Sequence, residues 1–553
     1  MRLPRPPRVA LLWLVLILCS ILCSTLVFAS AYNARPKLVV VIVIDQFRGD
    51  YLERYRDQFG EGGFRLFLDH GAYFTDCNYD YANTRTAPGH ATLFTGSYTS
   101  GHGILANEWW DPLKKKRVTS VEDEGTKLVG IGKDHSGPGA SPHNLTNDTL
   151  GDELKLATGG KARVFAVSLK DRAAILPAGF SGDGAYWIDP KSGDWITSTY
   201  YRPDLPEWVR NFNGSHRADK YRNRDWKDSE GKVLRSTAAR NGRDGTPASF
   251  YEVVGSTPFA NDYEFEFAKE LVLYEKLGAG SATDLLVVSL SANDILGHGV
   301  GPDTPEMRSM ALELDHSLAE FFTFLGHQIG MANVWMALSA DHGVAPLPDF
   351  AKTLRMPAAN LDAKSLREQI NSLLSKKHAK NAEYVVDFDY PLAWLNEEAF
   401  SATGSKKESD AEADAGEAMK QVGLSGYYTK AQLARGETPA TEIGRRYAHS
   451  YSPVGGWYVM GIPVPFRVGI PRGTDHETPF SYDTHVPLAF YGLAFQPGTY
   501  RTHAEPVDLA VTLASLLGIN APALATGRVL TEALPPHHAG PQPAASANAG
   551  GSQ

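Results

Sequence analysis

Cysteine is nearly missing from this 553-residue chain. Three are present, and two of them, Cys19 and Cys23, fall in an apolar N-terminal stretch, which leaves Cys77 alone in the remainder. A body with one cysteine has no internal disulfide and no thiolate cluster, so its stability rests on an apolar core and on oxygen- or nitrogen-ligated metal. An excess of basic charge is missing too. With 54 Lys and Arg against 63 Asp and Glu, the formal charge is −9, and no basic nucleic-acid surface is indicated. Internal repeats at solenoid or propeller spacing are absent. What is present is 43% hydrophobic and 10% aromatic residues. That suffices for a large core, in two or three average domains or in one large α/β domain with insertions.

The first 31 residues read as a targeting segment. Arg2, Arg5 and Arg8 precede the uncharged, mostly apolar stretch Leu11–Ala29, and Ala29-Ser30-Ala31 fits a small-residue cleavage site. The stretch approaches spanning length, so an uncleaved membrane anchor is the alternative. Both readings place the body, residues 36–533, outside the cytoplasm, and periplasmic or secreted is the expected location. Leu534–Gln553 is rich in Pro, Ala, Gly and Ser and is expected to be a disordered tail.

From Pro36 onward, strand-like apolar runs alternate with helix-like stretches. The implied fold class is α/β, a mostly parallel central sheet covered by helices on both faces. Val39–Ile44, Arg163–Leu169, Leu285–Leu290, Val334–Leu338 and Val486–Gly492 are the strand-like runs. Val507–Leu517 reads as a helix capped by Gly518. The alternation is interrupted over about 184–260 and about 345–470, which read as insertions or a cap subdomain. The second contains a helix-like Ala363–Leu374 and a polar run, Gly404–Glu417, that reads as a solvated loop.

Acidic residues and histidines follow several of these runs. Asp45 follows the first; Asp294 and His298 follow Leu285–Leu290; Asp341 and His342 follow Val334–Leu338; His485 comes later, in YDTHVP. Singly, an Asp after a strand is usually a turn or cap residue. Together they share one topological place, the carboxyl ends of strands, where sites form in open α/β sheets. Asp294 and His298 are four apart and would share one helix face. Six carboxylate and imidazole ligands suit a two-metal, zinc-type centre, of the kind that clamps a phosphoryl group.

A nucleophile candidate lies in Asn83–Gly96 (NTRTAPGHATLFTG). Thr86 precedes Ala87-Pro88 and an apolar helical run, so it stands at or beside a helix N-terminus with Pro88 in the first turn. Free N–H groups and the helix dipole favour an anion there. Thr86 as a mere N-cap is the alternative, and Thr84 is a competing hydroxyl further from the helix. His90 reads as structural and His476 as a loop residue.

The motifs TRTAPGHATLFTG, VIVIDQFRGD, SANDILGHG, SADHG and YDTHVP together resemble the alkaline phosphatase superfamily. Within it they are most similar to the type I phosphodiesterase/nucleotide pyrophosphatase-like branch that includes the PafA-type alkaline phosphatases. The resemblance runs from about Lys37 to Leu534. It implies two Zn2+ per chain, one held by Asp294, His298 and His485, the other by Asp45, Asp341, His342 and the Thr86 oxygen. Thr86 would form a covalent phosphothreonine that water hydrolyses. Asn107, in HGILANEWWD, and Lys170 and Arg172, in VSLKDRAAILPAG, match phosphate-binding positions of the monoesterases. Diesterases are expected to carry apolar surface where Lys and Arg stand. The sulfatase branch needs Cys or Ser in a C/S-x-P-x-R context, and Thr86-Ala87-Pro88-Gly89-His90 has neither.

The expectation is an exported alkaline phosphatase of broad range that scavenges phosphate from small-molecule esters as a monomer, with the membrane involved only if the N-terminal segment stays uncleaved. A phosphodiesterase on the same two metals is the second reading. A catalytically silent, metal-stabilised binding ectodomain is the third.

Overall fold

The run Leu38–Ile44, seven apolar residues with six β-branched, forms strand β1, and every one of its side chains is fully buried. A strand apolar on both faces belongs inside a parallel sheet covered on both sides, and β1 lies there. In the computed structural model, which describes residues 35–132, 137–238, 248–404 and 407–535, it is an inner strand of a ten-stranded sheet. The others are β2 (Ala72–Phe74), β3 (Leu128–Val129), β4 (Val164–Ser168), β5 (Gly184–Ile188), β6 (Trp195–Ser198), β7 (Asp284–Leu290), β8 (Val334–Ser339), β9 (Leu488–Tyr491) and β10 (Gly498–Tyr500). Their spatial order is β10-β2-β9-β8-β1-β7-β4-β5-β6-β3. β1 runs parallel to β7 and β8, and β4 parallel to β7 and β5; β9 and β6 turn antiparallel.

The register decides where the site falls. Ile44 pairs with Leu290, Val43 with Ser339 and Ser289 with Ser168. Asp45, Ser291, Ala340 and Leu169 therefore leave the sheet along one edge, each at the carboxyl end of a parallel strand. Three helices receive or flank these exits: α1 (Thr86–Thr95), α2 (Asp171–Ala178) and, after α3 (Pro258–Tyr274), α4 (Ala292–Val300). The expected helix near the C-terminus forms as α7 (Asp508–Leu517), ending on Gly518 at φ 62°, the left-handed conformation in which glycine carries no Cβ penalty.

Two of the interruptions resolve differently. Aperiodic sequence over about 184–260 suggests an insertion, yet its first two strands, β5 and β6, extend the central sheet. Their short length and aromatic content hid the pattern. The stretch 345–470 carries a separate four-stranded sheet and an apolar cluster of its own. Its sheet runs Val385–Asp389, Leu392–Leu395, Tyr458–Ile462, Gly426–Thr429 in spatial order, with helix α5 (Ala363–Lys377) packed alongside. The polar run Gly404–Glu417 is not a loop. From Glu408 it is helix α6 (Glu408–Gln421), burying Ala411, Ala415, Ala418 and Met419. Those four positions keep helical spacing; their small alanines are masked by the acids between them. The expected targeting segment, residues 1–31, and all but the first two residues of the Pro/Ala-rich tail lie outside the described residues. Among the described ones, no helix is long and apolar enough to cross a membrane.

Helix α6 also buries Glu412, whose carboxylate accepts from the Ala431 N–H at 3.0 Å. Burial first, with Glu408 beside it, pushes its carboxyl up to about 8. A folded-state value raised above the unfolded one stabilises fully below the ordinary glutamate range, and that contribution is lost as pH rises toward and through 8. At about 1.4 kcal/mol per pKa unit the swing is on the order of a few kcal/mol. Glu412→Gln keeps an oxygen for Ala431. It should be near neutral at pH 5 and raise the melting temperature at pH 9 by roughly 5 °C. Thermal unfolding at the two pH values checks this; equal shifts at both would show that the buried charge is not the cause.

Candidate metal centre and nucleophile

Asp45, Asp294, Asp341, His298 and His342 meet at the carboxyl edge, and a residue not expected there joins them. Two triads, Asp45–Asp341–His342 and Asp294–His342–His476, each bring one ligand atom per residue within 4.8 Å of the others; His298, Asp475 and His476 form a third. All but the half-buried His298 and Asp475 are buried. Asp294 and His298 share one face of α4, with His298 Nε2 3.1 Å from Asp294 Oδ1. The His342 and His476 rings stack at 3.7 Å.

The three imidazoles are oriented alike. His298 Nδ1 donates to the Thr474 carbonyl at 3.0 Å, His342 Nδ1 to the Gly343 carbonyl at 2.9 Å and His476 Nδ1 to the Thr84 carbonyl at 2.6 Å. A carbonyl can only accept, so each ring carries its proton on Nδ1 and presents Nε2, the arrangement by which backbone groups fix metal-binding histidines.

Does a cation suit this cluster? Asp45 Oδ1, Asp341 Oδ2 and His342 Nε2 are buried without a hydrogen-bond partner, although buried polar atoms are nearly always paired. All three belong to one triad. Burial, then the Asp294 and Asp341 carboxylates, push Asp45 up to about 7. Burial alone would raise Asp294 as well, but Lys170 and His298 hold it well below the usual range. His298 rises to about 10, the pull of Asp294 overcoming its burial, whereas burial lowers His342 to about 4. Crowded carboxylates, the neutral imidazoles of His342 and His476 and orphaned acceptors are what a divalent cation would satisfy, and the oxygen and nitrogen donors fit zinc. The residues fit the group.

His485 is the correction. Its Nε2 is 3.0 Å from the Thr75 carbonyl and so donates to it, and its backbone bridges Asn78. It lines a different cleft, with Arg48, Asp50, Asp76, Ser481 and Tyr482. A Cβ on Gly49 would stand 2.6 Å from its ring, so this glycine lets the chain beyond β1 pass against it. Nine residues earlier, His476 brings its imidazole into the cluster. The signal in the sequence was its company, TDHETP, an Asp-His pair like Asp341-His342. Gln46 was also missed. Its N–H donates to Asp341 Oδ1 at 3.1 Å and its Nε2 to Asp294 Oδ1 at 2.8 Å, from a backbone held at φ 61°.

Thr86 is the first residue of α1, and Arg85, not Thr86, is its N-cap. Pro88 lies in the first turn, as the sequence suggests. The helix is pressed onto the site: a Cβ at Gly89 would come within 2.2 Å of the Asp341 carbonyl oxygen. His90 is buried and bonds the Thr86 carbonyl at 2.8 Å and Ser289 Oγ at 2.7 Å, a structural role. The competing hydroxyl of Thr84 is consumed, donating to the Thr478 carbonyl and accepting from the Glu477 and Thr478 N–H groups.

Asn107 Oδ1 accepts from the Ala87 N–H at 2.8 Å, which fixes the amide beside the start of α1. Lys170 caps α2, and its Nζ lies 2.6 Å from Asp45 Oδ2 and 2.5 Å from Asp294 Oδ2. Burial would lower it, but the two carboxylates hold it well above the usual lysine range. Arg172 follows in the first turn, its Nε buried without a partner. The turn is braced from behind, where Glu264 of α3 accepts from the Leu169 N–H at 2.8 Å.

Fold and donor set together define an α/β protein of the alkaline phosphatase fold with a candidate metal centre. The chain belongs to the type I phosphodiesterase / nucleotide pyrophosphatase family, whose model matches residues 39–434. It is 33% identical over 527 residues to alkaline phosphatase PhoV of Synechococcus elongatus, covering 91% of this chain and 93% of that protein. It is 34% identical over 529 residues to alkaline phosphatase PafA of Elizabethkingia meningoseptica, covering 90% and 95%. The crystal structure of wild-type PafA superposes with a TM-score of 0.82 at 31% identity, over 91% of this chain and 99% of that one.

Proposed function

We propose that this chain is an exported, zinc-dependent alkaline phosphatase that hydrolyses small phosphate monoesters through a phosphothreonine on Thr86. The observation that carries the reading is the meeting of three carboxylates and three Nε2-presenting imidazoles at one sheet edge, beside a threonine at a helix N-terminus and a Lys/Arg pair. The relatives named alkaline phosphatase support the same reading.

In this scheme Asp294, His298 and His476 would hold one zinc, and Asp45, Asp341 and His342, with the Thr86 oxygen, the other. Bound there, the two cations supply Lewis acidity and charge neutralisation to the reacting phosphoryl group. Thr86 Oγ1 attacks phosphorus and the ester oxygen departs; water then cleaves the phosphothreonine, regenerating the hydroxyl. The α1 N-terminus faces the anion. Asn107, fixed through its oxygen, keeps its amide N–H groups for a phosphoryl oxygen, while Lys170 offers a point charge and Arg172 a fork. Uncatalysed monoester hydrolysis is among the slowest reactions known, needing accelerations up to ~10²¹. Because its transition state is loose, positioned charge is the main catalytic resource.

A monoester carries one more negative charge than a diester, and Lys170 and Arg172 are the groups that read it. A charge-assisted hydrogen bond contributes about 1.5–3 kcal/mol, so Lys170→Ala or Arg172→Ala should cut kcat/KM for an aryl phosphate monoester by roughly 10–100-fold. The matching diester should change by only a few-fold. Steady-state kinetics on both esters, with metal content assayed, checks this. Equal losses would show that the pair does not recognise the dianion, and a wild-type preference for the diester would move the function to a phosphodiesterase on the same centre.

A further inference from the structure

Arg85, the residue before the nucleophile candidate, is a buried cation with three separate anchors. Its side chain is 2% exposed. Nε donates to Glu477 Oε1 at 2.8 Å, Nη1 to Asn83 Oδ1 at 2.5 Å, and Nη2 to both the carbonyl and Oδ2 of Asp389 at 3.2 Å. These anchors belong to three parts of the molecule. Asn83 is on the segment leading into α1, Glu477 directly follows His476, and Asp389 ends the outer strand of the cap sheet.

A guanidinium is retained in such a place only when its donors are matched, since burying it unpaired costs heavily. Its planar fork spans acceptors that a lysine point charge would not. The join it makes is reinforced beside it. Thr84 exchanges hydrogen bonds with Glu477 and Thr478, and its carbonyl takes the His476 Nδ1 proton. Glu477 itself sits at φ 82°, a left-handed conformation that a non-glycine residue keeps only when its surroundings impose it. The cap has a second, more exposed arginine–carboxylate tie. Arg117, on the hairpin strand that pairs with Glu108–Asp111 just after Asn107, holds Asp387 with Nε and Nη2 at 2.6 and 2.9 Å.

We propose that Arg85 is a positioning residue that locks the Thr86 end of α1 to the His476 segment and to the cap sheet, so that nucleophile and metal ligand are held in one geometry. It rests on the reading of Thr86 and His476 given above. Arg85 touches no reacting atom; it acts through Glu477, Asn83 and Asp389. A misplacement of about 1 Å can cost ~10²-fold in rate, and loss of groups that orient ligands typically costs about 10–100-fold in metal affinity.

The test compares Arg85→Ala, Arg85→Lys, Glu477→Ala, Glu477→Gln and Asp389→Ala in the full chain. The readouts are kcat and KM for an aryl phosphate, zinc affinity by chelator competition, and melting temperature. Arg85→Ala should lower kcat by roughly 10–100-fold with KM within about threefold, and weaken zinc at one site by about tenfold. Arg85→Lys should recover little. Glu477→Gln, which keeps an amide oxygen for Arg85 Nε, should regain most of what Glu477→Ala loses. Should Arg85→Ala fail to fold, Asp389→Ala removes one partly exposed anchor and should give a smaller loss of the same kind. Variants that melt earlier but match the wild type in kcat and zinc affinity would overturn the proposal and leave Arg85 a stabilising residue. That result, with Thr86→Ala inactive, sinks the positioning role alone; an active Thr86→Ala sinks the reading beneath it.

Discussion

Replacing Thr86 by alanine should abolish turnover of phosphate monoesters even at saturating zinc, where Asp45, Asp341 and His342 still hold the cation that has lost the Thr86 oxygen. The expectation follows from position. The hydroxyl stands on the first residue of α1, with Arg85 as the N-cap, so it is not spent on capping. The helix is held against Asp341 by Gly89, which fixes where that hydroxyl can be. The competing hydroxyl of Thr84 is fully engaged with Glu477 and Thr478. Removing a nucleophile from an intact site leaves only what binding and charge supply, so a loss of roughly 10³-fold or more in kcat is expected, about 4 kcal/mol of transition-state stabilisation. Thr86→Ser keeps an oxygen and should retain measurable turnover. Acid quench during turnover of labelled substrate should trap phosphate on wild-type protein and none on Thr86→Ala. A variant with full metal content and more than a tenth of wild-type activity would mean that another group, or water, attacks phosphorus.

How much of this was readable beforehand depends on the kind of signal. β1, β7, β8 and β4 declared themselves because strands buried on both faces must be apolar throughout, and that run is visible without context. Once those strands are parallel and in register, the residues just past their ends are brought together, so Asp45, Asp294 and Asp341 followed. Residues on the same helix or in the next turn, His298 and His342, inherit that logic; Lys170 also follows a strand, but only the resemblance to the monoesterases marks it out from a solvated turn. The cap was less legible. Helix α6 hides its buried face in small alanines among acids, and β5 and β6 are short aromatic-rich pieces whose pairing is decided only by their neighbours. Least legible was the last imidazole. His476 is on irregular backbone, tied to Thr84 across almost 400 residues of sequence. Neither periodicity nor strand register reports such a contact. His485 sits just before a strand, where the alternation rule is misleading, because β9 runs antiparallel to β8 and its amino end shares the edge.

That exchange makes a sharp experiment. His476→Ala should strip one metal and most of the activity; His485→Ala should do neither. His476 presents Nε2 to Asp294 and His342 within 4.8 Å, its Nδ1 proton already committed to Thr84. Outer-shell partners of metal ligands typically contribute about 10–100-fold in affinity, so loss of a direct ligand should exceed about 100-fold at that site and lower kcat/KM by roughly 10³-fold. His485 instead spends Nε2 on the Thr75 carbonyl in a separate cleft. Its removal forfeits a hydrogen bond of about 1 kcal/mol and some packing against Gly49, visible as a small fall in melting temperature with activity within about threefold. Elemental analysis after dialysis against a weak chelator, alongside kinetics with and without added zinc, separates the two variants. High zinc should restore part of the His476→Ala activity, because two ligands of that site, Asp294 and His298, remain in place on one face of α4. If His485→Ala loses the metal and His476→Ala keeps it, the cleft beside Thr75 closes onto the centre when the protein is loaded, and the assignment drawn from this geometry is wrong.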